Sequence, residues 1–336
     1  SPMALTQCII YSFARSAPGQ AISVNAGKPY SECIGPVASL FDQLKRAFQR
    51  SAQKQFGCFD AEASPPLPGW TKDYLEEKSS FESLASSLVK QLATAFDSID
   101  EPFTAQVLVA EEVLLEQKRL YLLWTEFTEA LNINADGEVE TCRYLDGNRL
   151  PYAMKLHVDE WQQGESTKYL SILAGRGNKA ISDAFKMAIG FSLGVDLEKQ
   201  TKEFLRVVER YTDELPDDKR DEQKEQILDY CVAMDSIGEE VVIADLSELL
   251  SPDQPQAFSN FVGQSSQDEK ESLHLHRSSL KRYVRFSGRD KYMSISFSSR
   301  LFGDNVVFDA NSGELTLKKV PKSLRNQIRK HRDAEE

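Results

Sequence analysis

The chain has 336 residues, 41% of them hydrophobic, and carries 40 Lys and Arg against 52 Asp and Glu, for a formal net charge of −12. That length and apolar content predict a globular protein of two or three domains. No run of 18 apolar residues is present and the first residues lack the basic-then-apolar order of a secretory signal, so no membrane span and a cytoplasmic location are expected.

Ser1 and Pro2 ahead of Met3 are read as an expression remnant and set aside. From Leu5 to Phe13 the residues favour strand, and Ala21 to Asn25 would pair with them across the turn Ser16-Ala17-Pro18-Gly19, an opening hairpin. Leu40, Phe41, Leu44 and Phe48 then recur at helical spacing, as do Phe81, Leu84, Leu88, Leu92 and Phe96. Between these helices the prolines of residues 63–69 predict a loop. Residues 103–127, rich in Val, Leu, Tyr and Trp and broken by Glu116-Gln117-Lys118, predict an antiparallel meander, with further strand-like runs ending at Asp136-Gly137 and Asp146-Gly147. Met154, Leu156 and Val158 alternate with polar neighbours, as a half-buried strand does.

After Gly175 the apolar period becomes 3.6. Ile181, Ala184, Phe185, Ala188 and Ile189 form one helical face, Leu197, Phe204, Leu205, Val208 and Tyr211 a second, and Ile227, Leu228, Cys231 and Met234 a third. Residues 251–272 are mostly Ser, Gln, Pro and acids and read as a polar linker interrupted by Phe258, Phe261 and Val262. Beyond them Tyr283 to Phe286, Met293 to Phe297, Val306 to Asp309 and Glu314 to Lys318 predict short strands, and Pro321 suits the first turn of a final helix. The expected fold is α+β: an N-terminal domain of helices and antiparallel sheet (3–175), a helical segment (176–250), the linker (251–272) and a small C-terminal sheet with a terminal basic helix (273–336). A single domain over 176–336 is the alternative division.

The charge is unevenly spread. Residues 273–332 hold 14 Lys and Arg against four acids, +10, whereas residues 1–272 hold 26 against 45, −19. A basic end on an acidic body points to a polyanion partner. At 100° per residue, Lys322, Arg325, Arg329 and Arg332 fall within about 80° of one another, with Leu324 and Ile328 in the next sector. The expectation is that the apolar stripe docks the helix while the cations face outward to phosphates. The bland alternative is a solvated terminal helix whose cations suit its dipole. Lys318, Lys319 and Lys330 add to this cluster. Upstream, Lys281, Arg282, Arg285 and Arg289 alternate with Tyr283 and Phe286, which suggests strand rims with aromatics more in the core than stacked on bases.

Residues 173–179, Leu-Ala-Gly-Arg-Gly-Asn-Lys, sit at an expected strand-to-helix junction, where a structural turn is the better reading of the glycines and Arg176 and Lys179 are candidate phosphate contacts. The segment is neither a Walker loop nor a dinucleotide fingerprint. His274-Leu275-His276 lacks the further ligands a metal site needs, the five cysteines have no CxxC spacing, and no nucleophile-and-base signature occurs. No enzymatic activity, cofactor or metal is expected.

Several segments together resemble the bacterial 37-kDa nucleoid-associated protein family, the NdpA-like or YejK-like proteins: Asp159-Glu160-Trp161, Glu165 to Leu170, Gly175-Arg176, Tyr230-Cys231, Phe286-Ser287-Gly288, Leu301-Phe302-Gly303, and Pro321 with Leu324-Arg325 and Gln327. The resemblance spans nearly the whole chain at low identity; the loop at residues 175–179 is one residue shorter than in the family, and the first 150 residues match loosely. It implies a cytoplasmic protein of the nucleoid that binds double-stranded DNA, RNA more weakly, and other nucleoid proteins, without catalysis. It supplies no contact residues, so the cations above remain a reading of charge and period. A homodimer is the default for a DNA-bridging protein. The competing reading is an adaptor whose basic end binds an acidic protein, its nucleoid association being indirect.

Overall fold

The computed structural model describes residues 4–175, 178–265 and 271–335. The chain divides into two compact units, Ser1–Asp196 with Ser236–Glu239, and Leu197–Asp235 with Glu240–Glu336. Helices and antiparallel strands alternate through both, so the protein is α+β.

The first unit contains β1 (Ala4–Arg15), β2 (Ser23–Ala26), α1 (Pro36–Arg50), β3 (Gln55–Phe59), α2 (Leu67–Leu75), α3 (Phe81–Phe96), β4 (Phe103–Leu114), β5 (Gln117–Thr125), β6 (Phe127–Ile133), β7 (Val139–Leu145), β8 (Tyr152–His157), α4 (Val158–Gln163), β9 (Leu170–Ala174), α5 (Lys179–Ile189) and β10 (Phe191–Leu193). Eight strands form one sheet in the order β10-β3-β9-β8-β5-β4-β1-β2, every pair antiparallel. Strand alternation divides the apolar residues between its faces. Val107, Val109, Leu122 and Trp124 pack with Leu88, Leu92 and Phe185 of α3 and α5. Leu108, Ala110, Tyr121 and Leu123 pack with Phe41, Leu44 and Phe48 of α1. The opening hairpin and both early helices therefore form as the periodicity predicts.

Three local expectations are corrected. The loop expected over 63–69 ends early, because Leu67, Pro68 and Gly69 are already the first turn of α2; a proline in the first turn forfeits no helical hydrogen bond. The predicted meander is interrupted: β6 and β7 leave the large sheet as a separate two-stranded hairpin, and β5 pairs with β8 across that excursion. Strand β3 carries no alternation in Gln-Phe-Gly-Cys-Phe and went unpredicted; Gly57 is required there because a Cβ would lie 2.0 Å from the Ser192 carbonyl oxygen of the neighbouring strand.

The second unit contains α6 (Leu197–Asp213), α7 (Asp217–Ile237, leaving the unit after Asp235), β11 (Val241–Val242), α8 (Ile243–Leu250), α9 (Ala257–Ser265), β12 (Ser272–Leu273), α10 (Arg277–Val284), β13 (Arg285–Arg289), β14 (Ser294–Ser298), β15 (Val306–Phe308), β16 (Leu315–Leu317) and α11 (Lys322–Glu335). Phe204, Val208, Ile227, Cys231, Leu246 and Phe258 form its core. Residues 257–265, within the stretch expected as linker, form α9, and Phe258 is fully buried with its ring 5.0 Å from that of Tyr211. One aromatic that reaches a core holds an otherwise polar segment in place.

Candidate nucleic-acid interface

Helix α11 follows from its sequence: Pro321 precedes it, its carbonyl accepts the Arg325 N–H at 3.0 Å, and Lys, Arg, Leu, Gln and Ala dominate its length. Lys322, Arg325, Arg329, Lys330 and Arg332 are all exposed. Among the described residues none of them pairs with a carboxylate; within this helix His331 Nε2 lies 3.3 Å from Glu335 Oε1. The expected docking of the apolar stripe is corrected, because Leu324 and Ile328 are 42% and 50% exposed and no residue of α11 is buried. Amphipathic spacing records that a face suits cover, and no described residue of the second unit buries it.

Tyr283 is also corrected. It lies at the end of α10, not in a strand, so Lys281 and Arg282 belong to the last turn of a helix whose dipole favours them there. His276 begins that helix as its cap, its Nδ1 accepting the Ser279 N–H at 3.3 Å. Tyr283 hydroxyl donates to the Glu209 carboxylate, which also accepts from Lys224 Nζ at 2.6 Å. Burial alone would raise the Glu209 carboxyl, but these two donors offset it and hold it below its usual value. Burial, and then the hydrogen bond to Glu209, push the Tyr283 hydroxyl well above its ordinary value. This aromatic is thus a structural anchor and is not free to stack on a base.

Arg285 and Arg289 lie on β13, where the register with β14 separates two faces. Arg285, Ser287 and Arg289 share one with Ser298, Ser296 and Ser294; Phe286 and Gly288 share the other with Phe297 and Ile295. Arg285 Nε donates to Ser296 Oγ at 3.1 Å. Lys318 and Lys319 follow β16, the Lys318 N–H donating to the Asn305 carbonyl at 2.7 Å while both side chains stay exposed. The structure therefore presents Arg289, Lys318, Lys319 and the α11 cations without acidic partners among the described residues. Arg282 differs, with Nη2 3.9 Å from Glu198 Oε1.

In the first unit, Lys179 opens α5 with its Nζ 3.5 Å from Asp183 Oδ2. The N-terminus of that helix is capped by Asn178 Oδ1, which accepts the Ile181 N–H at 3.3 Å, and Asn178 Nδ2 donates to Glu101 at 2.8 Å. A side-chain oxygen therefore accepts the Ile181 N–H at this end of the helix, and the Glu101 carboxylate lies beside it. Arg176 lies outside the described residues.

Two cationic surfaces escaped the sequence reading. Arg46 and Arg50, one helical turn apart on α1, line a cleft of about 410 Å³ with Gln43, Ser51 and Asn148. Lys202 and Arg206 on α6 line a cleft of about 320 Å³ with Glu209 and Arg282, and Lys202 already pairs with Glu198 at 2.9 Å. Both pairs have i,i+4 spacing, a signal visible in sequence; around Lys202 and Arg206 it is set among acids, whereas residues 1–60 are themselves net basic. Among the described residues no group of three or more His, Cys, Asp or Glu side chains could hold a metal ion, and no helix is long and apolar enough to cross a membrane.

A family profile described as nucleoid-associated protein YejK matches residues 32–325. Relatives named as nucleoid-associated proteins include those of Pseudomonas putida strain GB-1 and Pseudomonas entomophila strain L48, each 26% identical over 335 residues, covering 98% of this chain and all of the relative. One from Metapseudomonas resinovorans is 24% identical over 332 residues with the same coverage.

Proposed function

The chain belongs to the YejK nucleoid-associated protein family, and from that premise we propose that it binds double-stranded DNA in the cytoplasmic nucleoid, mainly through phosphate contacts from its C-terminal end. The observation that carries this reading is α11: a helix with five exposed cations and no carboxylate partner for them among the described residues, in a region of net charge +10 on an otherwise acidic chain. Four of those cations, Lys322, Arg325, Arg329 and Arg332, form one stripe. A phosphate backbone presents charge at regular intervals, and a rigid helix laid along it exchanges condensed counterions for its own cations. Such contacts position a protein without reading bases, so little sequence preference is expected. Arg285 and Arg289, on the serine-rich face of β13 and β14, extend the same chemistry. RNA offers the same phosphates in a different helical shape and is read as a weaker ligand. Nothing in this reading requires catalysis.

The test is a fluorescence titration of a labelled duplex over a salt series. Four phosphate contacts give a slope of about −3.6 in log affinity against log salt, or a loss on the order of 10²-fold between 50 and 200 mM salt. No binding at the lowest salt, or binding insensitive to salt, refutes the proposal. The adaptor reading, in which the basic end meets a protein, is favoured by one observation: large apolar side chains lie exposed beside the cations.

A further inference from the structure

The cleft on α1 departs from the acidic character of the chain. Arg46 and Arg50 line it, and no Asp or Glu does. Asp42 lies one turn before Arg46 but forms no ion pair with it among the described residues, and Lys45 of the same helix takes the Glu112 carboxylate at 2.6 Å. The cleft beside α6 is different: Glu209 lines it, and Lys202 and Arg282 both lie near Glu198. Side chains four apart on a helix are neighbours, so the two guanidiniums of α1 can close on one anion. The C-terminal end of α1 opposes an anion with about half a unit of negative charge, which two full positive charges exceed. The Gln49 carbonyl at that end is already taken by Lys54 Nζ at 2.7 Å.

The facing wall is held in place by the backbone. Asp146 Oδ1 accepts the Asn148 N–H at 3.0 Å and the Asp146 carbonyl accepts the Arg149 N–H at 3.1 Å, which folds residues 146–149 into a turn. Gly147 lets that turn lie on α1, since a Cβ there would sit 2.3 Å from Gln43 Oε1 and 2.7 Å from Gln43 Cβ. The amides of Asn148 and Gln43 therefore line the same cleft as the arginines, while Arg149 pairs with Glu126 at 3.5 Å. Ser51 Oγ accepts the Gln53 N–H at 3.2 Å, leaving its own O–H to donate. Leu150 and the buried Leu173 supply an apolar floor.

We propose that this cleft binds a nucleoside monophosphate, with the phosphate between Arg46 and Arg50 and the base on Leu150 and Leu173, its edge met by Gln43 and Asn148. Three features select this ligand. Two guanidiniums without carboxylates match the charge of a phosphate monoester and suit its oxygens bidentately. A volume of about 410 Å³ falls in the range of small-molecule sites, so a bare phosphate would leave most of it open. Each amide offers a donor and an acceptor, as a base edge does, above a floor that suits a flat apolar face and not the hydroxyls of a sugar phosphate. This site lies apart from the α11 cations in sequence and takes a different ligand. Its test uses nucleotides without DNA, so it and the duplex-binding reading fail separately.

The test is isothermal titration of the full chain with the four nucleoside 5′-monophosphates, the matching nucleosides and inorganic phosphate. At least one monophosphate is expected to bind about 10-fold or more tightly than its nucleoside and than inorganic phosphate, because both ends of the ligand contribute. Arg46→Gln and Arg50→Gln should each weaken it by about 10-fold or more, at an unchanged melting temperature because both side chains are exposed. If either variant melts early, Asn148→Asp replaces it. That change keeps the side-chain shape at an exposed position and sets a carboxylate in the cleft, so binding falls by a similar factor. No binding by any monophosphate, inorganic phosphate bound as tightly, or variants that bind like wild type overturns the proposal. A short duplex that displaces the nucleotide also overturns it, since the cleft would then belong to the DNA surface, and a duplex that leaves the nucleotide bound supports it.

Discussion

Changing Lys322, Arg325 and Arg329 together to alanine removes three of the four cations in the α11 stripe without touching a buried atom. In the counterion-release picture each lost phosphate contact lowers the salt slope by about 0.9, so the triple variant should lose about 2.7 of the expected slope. If the two proteins converge at 1 M salt, that difference corresponds at 0.1 M salt to a loss of about 10²- to 10³-fold in affinity, or roughly 3 to 4 kcal/mol. Folding stability should change by no more than about 0.5 kcal/mol, because the side chains are exposed and unpaired. The assay is anisotropy of a labelled duplex, run at protein concentrations where variant and wild type have the same mass by light scattering. Lys179→Ala is the comparison, since that ammonium lies 3.5 Å from the Asp183 carboxylate and a partly neutralised cation contributes less. A triple variant with unchanged affinity and slope would refute the assignment of the stripe to DNA. Equal losses from Lys179→Ala would show that the response is to overall charge.

Phe258→Ala should destabilise the second unit by about 3 to 5 kcal/mol, read by denaturant unfolding, because a fully buried ring between Phe204 and Tyr211 leaves a cavity; a cost below about 1 kcal/mol would mean that the segment is the loose linker its composition suggests. Lys155 on β8 provides a pH test: burial, and then the Arg119 guanidinium, lower its ammonium from the usual 10.5 to about 8. Between those values the unfolded chain holds a proton that the folded chain has released, so stability attributable to this group rises with pH from about 8 to 10.5. Lys155→Met should raise folding stability at pH 7 by on the order of 3 kcal/mol, read as a higher melting temperature, and should flatten this part of the pH profile relative to wild type; a variant that melts lower at pH 7 would contradict the direction of the shift.

The amino-acid sequence alone determined the features that arise from local periodicity and from charge. The β1–β2 hairpin, helices α1 and α3, the basic helix α11 and the charge reversal near Leu273 were all legible, because a 3.6- or two-residue period and a run of cations depend on neighbours in the chain. Tertiary structure decided what those faces meet. Leu324 and Ile328 have the spacing of a docked stripe yet lie exposed, because spacing encodes an apolar face and not its cover. Tyr283 and Val284 read as the start of a strand running to Phe286 but close α10, since short apolar runs suit either element and the His276 cap with the Glu209 contact favours helix. Phe258 shows the converse, a single ring in a polar stretch whose burial depends on α6. Which cations are free is also non-local: Arg282 meets Glu198 across a long stretch of sequence, while Lys322, Arg325 and Arg329 meet no carboxylate among the described residues. Composition could place the basic residues at one end of the chain, but only packing could separate those held by acids from those left open to a phosphate.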